Sequence, residues 1–130
     1  MADTYYQRIG GEHAVRSVVD RFYDTIDESY PRLAAMLPAD TTLTRRKFFM
    51  YLSGWLGGPQ LYTARYGHPR LRMRHLPFAI DEESARQWLE AMESTLRSCN
   101  VGAGLIDELM AQLGPLAHHM QNQPLPAADS

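Results

Sequence analysis

The chain holds a single cysteine, Cys99, so it can form no internal disulfide and no cysteine-rich zinc site. That usage fits a reducing compartment, and a cytoplasmic protein is expected. No run of about 18 apolar residues occurs, so no segment reads as spanning a bilayer. The N-terminus, Met1-Ala2-Asp3-Thr4, lacks the basic and apolar regions of a secretory signal. Charge of neither sign dominates: 13 Lys and Arg face 15 Asp and Glu, a net charge of -2. The global basic footprint of a dedicated nucleic-acid binder is therefore missing. Strand patterns, internal repeats and a second domain are also missing. What remains is 130 residues, 45% of them hydrophobic, which suffices for one soluble domain with a real core.

Four segments carry the spacing of an amphipathic helix. In the first, Val15, Val18, Val19, Phe22, Tyr23 and Ile26 share one face. Gly10-Gly11 makes the turn before it, and Tyr30-Pro31 ends it, because a residue preceding proline avoids helical geometry. A further short turn of helix is expected around Arg32 to Leu37. The second helix runs from about Leu43 to Leu56 and stops at Gly57-Gly58-Pro59. The third follows Asp81, a good N-cap, with Glu82 and Glu83 in its first turn and a stripe of Ala85, Trp88, Leu89, Met92, Leu96 and Cys99. Asn100 to Gly104 reads as a loop. The fourth carries Leu105, Ile106, Leu109, Met110, Leu113, Leu116, Ala117 and Met120, with Pro115 expected to kink it. The tail from Gln123 to Ser130 reads as disordered.

Between the second and third helices, Pro59 to Ile80 shows little helical pattern, and unpatterned connections of that length are usually functional. Gly67-His68-Pro69-Arg70-Leu71-Arg72-Met73-Arg74-His75-Leu76-Pro77-Phe78 is its most distinctive part. It sets imidazoles and guanidinium groups beside an apolar core. Haem suits such a segment: iron for a histidine, the macrocycle for the core, propionates for arginines. His68 and His75 are both candidates on composition alone. Taken singly, each of the five histidines is more often a surface or satisfied core residue, and Arg70, Arg72 and Arg74 also fit a solvated patch or a weak RNA strip. Tyr23 and Trp88 lie on apolar stripes and need partners for their polar atoms, either backbone or a bound ligand.

Together these residues resemble the group II truncated haemoglobins over roughly Tyr6 to Asn122. The most specific piece is Trp55-Leu56-Gly57-Gly58-Pro59, then Leu61-Tyr62, then Gly67 through Phe78. The Phe22-Tyr23 pair, the glycines Gly10-Gly11 and Gly57-Gly58, and Trp88 ten residues after Phe78 complete it. The resemblance implies an all-α truncated globin, a two-over-two sandwich with haem b, in a domain spanning residues 1–122. It implies His75 as the proximal iron ligand and Tyr23 and Trp88 as distal hydrogen-bond donors. Thr44 and Phe48 would also line the distal side. Lys47, Arg72 and Arg74 would reach propionates, and Tyr51, Phe78, Ile80 and Met92 would form walls. One departure stands out: Leu37, before Pro38-Ala39-Asp40, occupies a position where the family usually has an aromatic or histidine. The implied ligands are dioxygen, carbon monoxide or nitric oxide. A reductase could serve as a partner; neither nucleic acid nor membrane is expected, and the chain could be a monomer or a homodimer. Nitric oxide dioxygenation or peroxide reduction on the same site is the alternative function, and a cofactor-free helical interaction module is a third.

Overall fold

A computed structural model describes residues 3–68, 70 and 80–120. Among them are seven helices and no strand: α1 (Tyr5–Ile9), α2 (Gly11–Ser29), α3 (Pro31–Ala34), α4 (Thr42–Trp55), α5 (Leu61–Tyr66), α6 (Glu82–Ser98) and α7 (Ala103–His119). No helix among the described residues is long and apolar enough to cross a membrane.

The predicted stripe on α2 is its buried face, with Val15, Val18, Val19, Phe22 and Ile26 at most 3% exposed. Burying Phe22 alone contributes roughly 2–3 kcal/mol. Two apolar helix pairs meet there. α2 packs on α4, α6 packs on α7, and α2 also lies against α6. This is a two-over-two helical sandwich with α2 at the crossing. Leu96, Leu105, Ile106, Leu109 and Leu113 supply the opposing layer of the core.

The helix ends follow local chemistry. Asp81 caps α6, accepting from the Ser84 backbone N–H at 2.8 Å and the Ser84 hydroxyl at 2.9 Å, and it pairs with Arg32 of the segment α3. Pro31 opens α3, where its missing N–H costs nothing. Gly10 has φ +123°, and a Cβ there would sit 2.9 Å from the Ala14 side chain, which accounts for glycine at this turn. Gly58 is required for a different reason. A Cβ on it would overlap the Tyr6 ring, while the Tyr6 N–H donates to the Leu56 carbonyl at 2.9 Å. The N-terminal turn is thereby latched to the end of α4.

Several expectations are corrected. Helix α1 has no long apolar stripe, so periodicity missed it; a capping box between Thr4 and Gln7 supports it instead. The Pro59–Ile80 connection contains α5, whose six residues are too few for periodicity to register. Helix α7 begins at Ala103, inside the expected loop, and, as expected, Pro115 lies within it. One absent backbone donor does not end a helix whose other turns are packed. The tail from residue 121 lies outside the described residues.

Candidate functional site

Three helices bring four aromatic residues to a common point. Tyr23 follows Phe22 on α2, Phe48 is central on α4, and Trp88 lies on the inward arc of α6. Phe22 is the hub. Its ring centroid lies 5.4 Å from Tyr23, 5.6 Å from Phe48 and 5.3 Å from Trp88. Phe48 in turn lies 6.0 Å from Tyr23 and 6.3 Å from Trp88, both edge-on. Such pairs each add about 0.5–1.5 kcal/mol beyond the area they bury, so the cluster holds its members in place. Tyr23 and Trp88, far apart in sequence, thus flank one phenylalanine.

Tyr23 is only 7% exposed, yet its hydroxyl has no hydrogen-bond partner among the described residues. The Trp88 indole N–H, half-buried, likewise has no partner among the described residues. Burial pushes the Tyr23 phenol above its ordinary range, and the nearby Arg45 guanidinium only partly opposes this. Tyr23 therefore remains a protonated donor throughout the physiological range.

Arg45 is a site residue that sequence reasoning missed. Its guanidinium lies 5.6 Å from the Tyr23 ring centroid. It donates to Asp24 at 2.9 Å, to the Asp20 carbonyl at 3.1 Å and to the Thr41 hydroxyl at 2.9 Å. Burial alone would weaken its proton affinity, but the bonds to Asp24 and Asp20 outweigh that and raise it. The result is a clamp from α4 to the exposed flank of α2, at Asp20 one turn before Tyr23 and at Asp24 next to it. No local spacing rule links residues this distant in the chain. Thr95 was also missed. It is fully buried on α6, and its Oγ1 is sealed without a partner. It falls on the same arc as Trp88, so counting turns from Trp88 would have found it.

The other candidates divide. Leu37 is partly buried against the core, and Thr44 is half-buried on α4. Ile80 is 9% exposed and Met92 1%, the latter inside the central core. Lys47 Nζ stands 5.2 Å above the Tyr66 ring, and Tyr51 meets Tyr62 edge-on at 6.3 Å. Burial raises the Tyr51 phenol as well. His75, Arg72, Arg74 and Phe78 lie outside the described residues. Two surface clefts lie away from the aromatic cluster. One of about 530 Å³ is lined by residues including Tyr30, Leu89 and Arg97; one of about 700 Å³ is lined by residues including Arg16, Arg46 and Phe49. Neither is lined by Tyr23, Phe48 or Trp88. Among the described residues no cluster of histidine, cysteine or carboxylates forms a metal site.

Comparison with known proteins adds the following. Residues 4–122 match the family described as bacterial-like globin. The group 2 truncated haemoglobin YjbI of Bacillus subtilis is 41% identical over 118 residues, covering 91% of this chain and 88% of that protein. The group II truncated haemoglobin of Bacillus anthracis superposes with a TM-score of 0.93 at 37% identity, covering 100% of this chain and 99% of that one. A cold-adapted truncated haemoglobin from Pseudoalteromonas haloplanktis TAC125 gives 0.89 at 42% identity, covering 94% and 100%.

Proposed function

The chain belongs to the bacterial-like globin family, and from that premise we propose that it is a haem-binding globin that takes up dioxygen and other diatomic ligands. The observation that carries this reading is the buried Tyr23 hydroxyl beside the Trp88 N–H, both without partners among the described residues. Two donors set in an apolar aromatic wall suit a ligand that carries its own acceptor.

Haem b, when bound, supplies an iron that shifts negative charge onto a diatomic ligand. The residues present fit that group. Tyr23 and Trp88 donate towards the charge, and in an apolar setting such donors act without the competition of water. Phe22 and Phe48 keep the donors in position and exclude water. Leu37 adds no third donor. The reading also assigns His75 as iron ligand and Lys47, Arg72 and Arg74 as propionate partners; Tyr51, Phe78, Ile80 and Met92 would complete the wall, with Thr44 at the ligand's access route.

The test is absorption spectroscopy of wild type and His75→Gly, each with and without haemin. The wild type should show a Soret band with histidine coordination, and the variant should lose that coordination. A colourless wild type after reconstitution would defeat the globin reading. Unaltered coordination in the variant would defeat the role of His75. Because haem binds only the folded chain, its removal should also lower the unfolding midpoint.

A further inference from the structure

The cleft of about 700 Å³ between α2, α4 and the start of α5 stands apart from the aromatic cluster and takes no part in the proposed ligand pocket. Its lining carries three arginines, Arg16, Arg45 and Arg46, against one carboxylate, Asp20. Arg45 meets that carboxylate at 3.4 Å and turns its other donors to Asp24, Thr41 and the Asp20 carbonyl. Arg16 and Arg46 meet no carboxylate among the described residues. Two positive charges are therefore left over in one cleft.

The two charges stand beside an apolar floor. The Arg16 guanidinium lies 4.2 Å from the centroid of the Phe49 ring. Arg46 precedes Phe49 by three residues on α4, so both cations flank that ring. Stacking holds a guanidinium by its flat face and leaves its N–H edge free for an anion. Met50 and Leu61, both partly buried, continue the floor with aliphatic surface. Arg21, also on α2, meets no carboxylate among the described residues either, but it does not line the cleft. Unpaired charge alone does not make a site. Two such charges beside an apolar surface supply its elements, because ligand pockets span about 300–1,000 Å³ and join apolar walls to a few placed polar groups.

We propose that this cleft binds a small alkyl phosphate, an aliphatic chain ending in a doubly charged head group. The two surplus cations select the charge: a phosphate monoester carries close to two negative charges at neutral pH, and a guanidinium pairs with its oxygens two at a time. The floor selects the body, since Met50 and Leu61 offer aliphatic surface and no further donor. The surroundings select a free molecule over a lipid in a bilayer. Helix α2 exposes Asp20, Asp24, Asp27 and Glu28, which an anionic membrane surface would repel. The site is independent of the globin reading.

The test titrates decyl phosphate into the full chain by isothermal calorimetry near neutral pH. The chain is haem-loaded, so that the alkyl chain cannot enter a haem pocket; a chain that takes up no haem is measured as purified. One decyl phosphate should bind per chain. Octyl phosphate should bind more weakly, by up to about fourfold for each methylene lost. Inorganic phosphate, which lacks the tail, and decyl maltoside, which lacks the charge, should each bind more weakly by about tenfold or more. Arg16→Gln and Arg46→Gln should each weaken decyl phosphate about tenfold through loss of a charged donor. Arg16→Lys should lose less than Arg16→Gln. Arg21→Gln makes the same change in net charge outside the cleft and should bind as wild type. All three arginines are exposed, so the variants should fold. Equal loss in Arg21→Gln, no loss in Arg16→Gln and Arg46→Gln, inorganic phosphate or decyl maltoside binding as tightly as decyl phosphate, or no binding would overturn the site. Retention on phosphatidic acid vesicles that disappears in Arg16→Gln would overturn the free ligand in favour of a membrane lipid.

Discussion

Replacing Tyr23 by phenylalanine should change ligand escape and stability in different ways, and the structure gives the size of each effect. The ring contacts to Phe22 at 5.4 Å and to Phe48 at 6.0 Å, and the Arg45 guanidinium at 5.6 Å, do not involve the hydroxyl. The substitution therefore removes one oxygen and nothing else. That oxygen has no partner among the described residues, so the ligand-free chain should keep its stability within ~1 kcal/mol. On the proposed reading dioxygen is different, because it would carry charge when bound and accept from Tyr23. A hydrogen bond to a charged acceptor is worth about 1.5–3 kcal/mol, which predicts dissociation faster by roughly 10- to 100-fold. Carbon monoxide accepts little charge, and its dissociation should change far less. Denaturant melts of the apo chain and stopped-flow replacement of dioxygen measure the two quantities. A clear loss of apo stability with an unchanged off-rate would show that the hydroxyl serves the fold, and the reasoning from its unpaired state would be wrong.

Leu37→Tyr should slow dioxygen escape about fivefold, ~1 kcal/mol, by supplying a further donor; an unchanged or faster off-rate refutes it. Thr95→Val, nearly isosteric, should stabilise the chain by ~1 kcal/mol in urea melts, because it deletes a sealed hydroxyl without a partner. Destabilisation of similar size would mean that the hydroxyl is paired in solution. Asp81→Ala should cost ~1 kcal/mol at pH 7 through loss of the α6 cap. The bond from the Ser84 backbone N–H, with Ser84 hydroxyl and Arg32 helping, holds the folded carboxyl below its ordinary 3.8. The stabilisation is therefore present above that value and is lost as pH falls through the lower folded value. The gap between variant and wild type should narrow as pH falls below 3.8; a gap that stays constant as the pH is lowered through that range contradicts the assignment.

The long helices were legible because each buries one continuous stripe, and a stripe has a period. Val15 to Ile26 and Ala85 to Leu96 announced α2 and α6, and the carboxylates after Asp81 announced where α6 begins. Helices α1 and α5 were not legible. The first is held by its capping box and by Tyr6 against Gly58, the second by contacts such as Tyr62 against Tyr51, and none of these leaves a periodic trace. The same limit hid Arg45, whose carboxylate partners sit on another helix.

The sequence by itself determined the long helices, that they make an all-α sandwich, and that Tyr23 and Trp88 are candidates, since those follow from local spacing and from a family pattern. Only the tertiary structure decided that Phe22 and Phe48 hold those two together, that the Tyr23 hydroxyl is left without a partner among the described residues, and that Lys47 and Arg65 converge on one ring. The physical reason is that burial stripes are properties of one helix, whereas a donor's partner is fixed by where neighbouring helices cross.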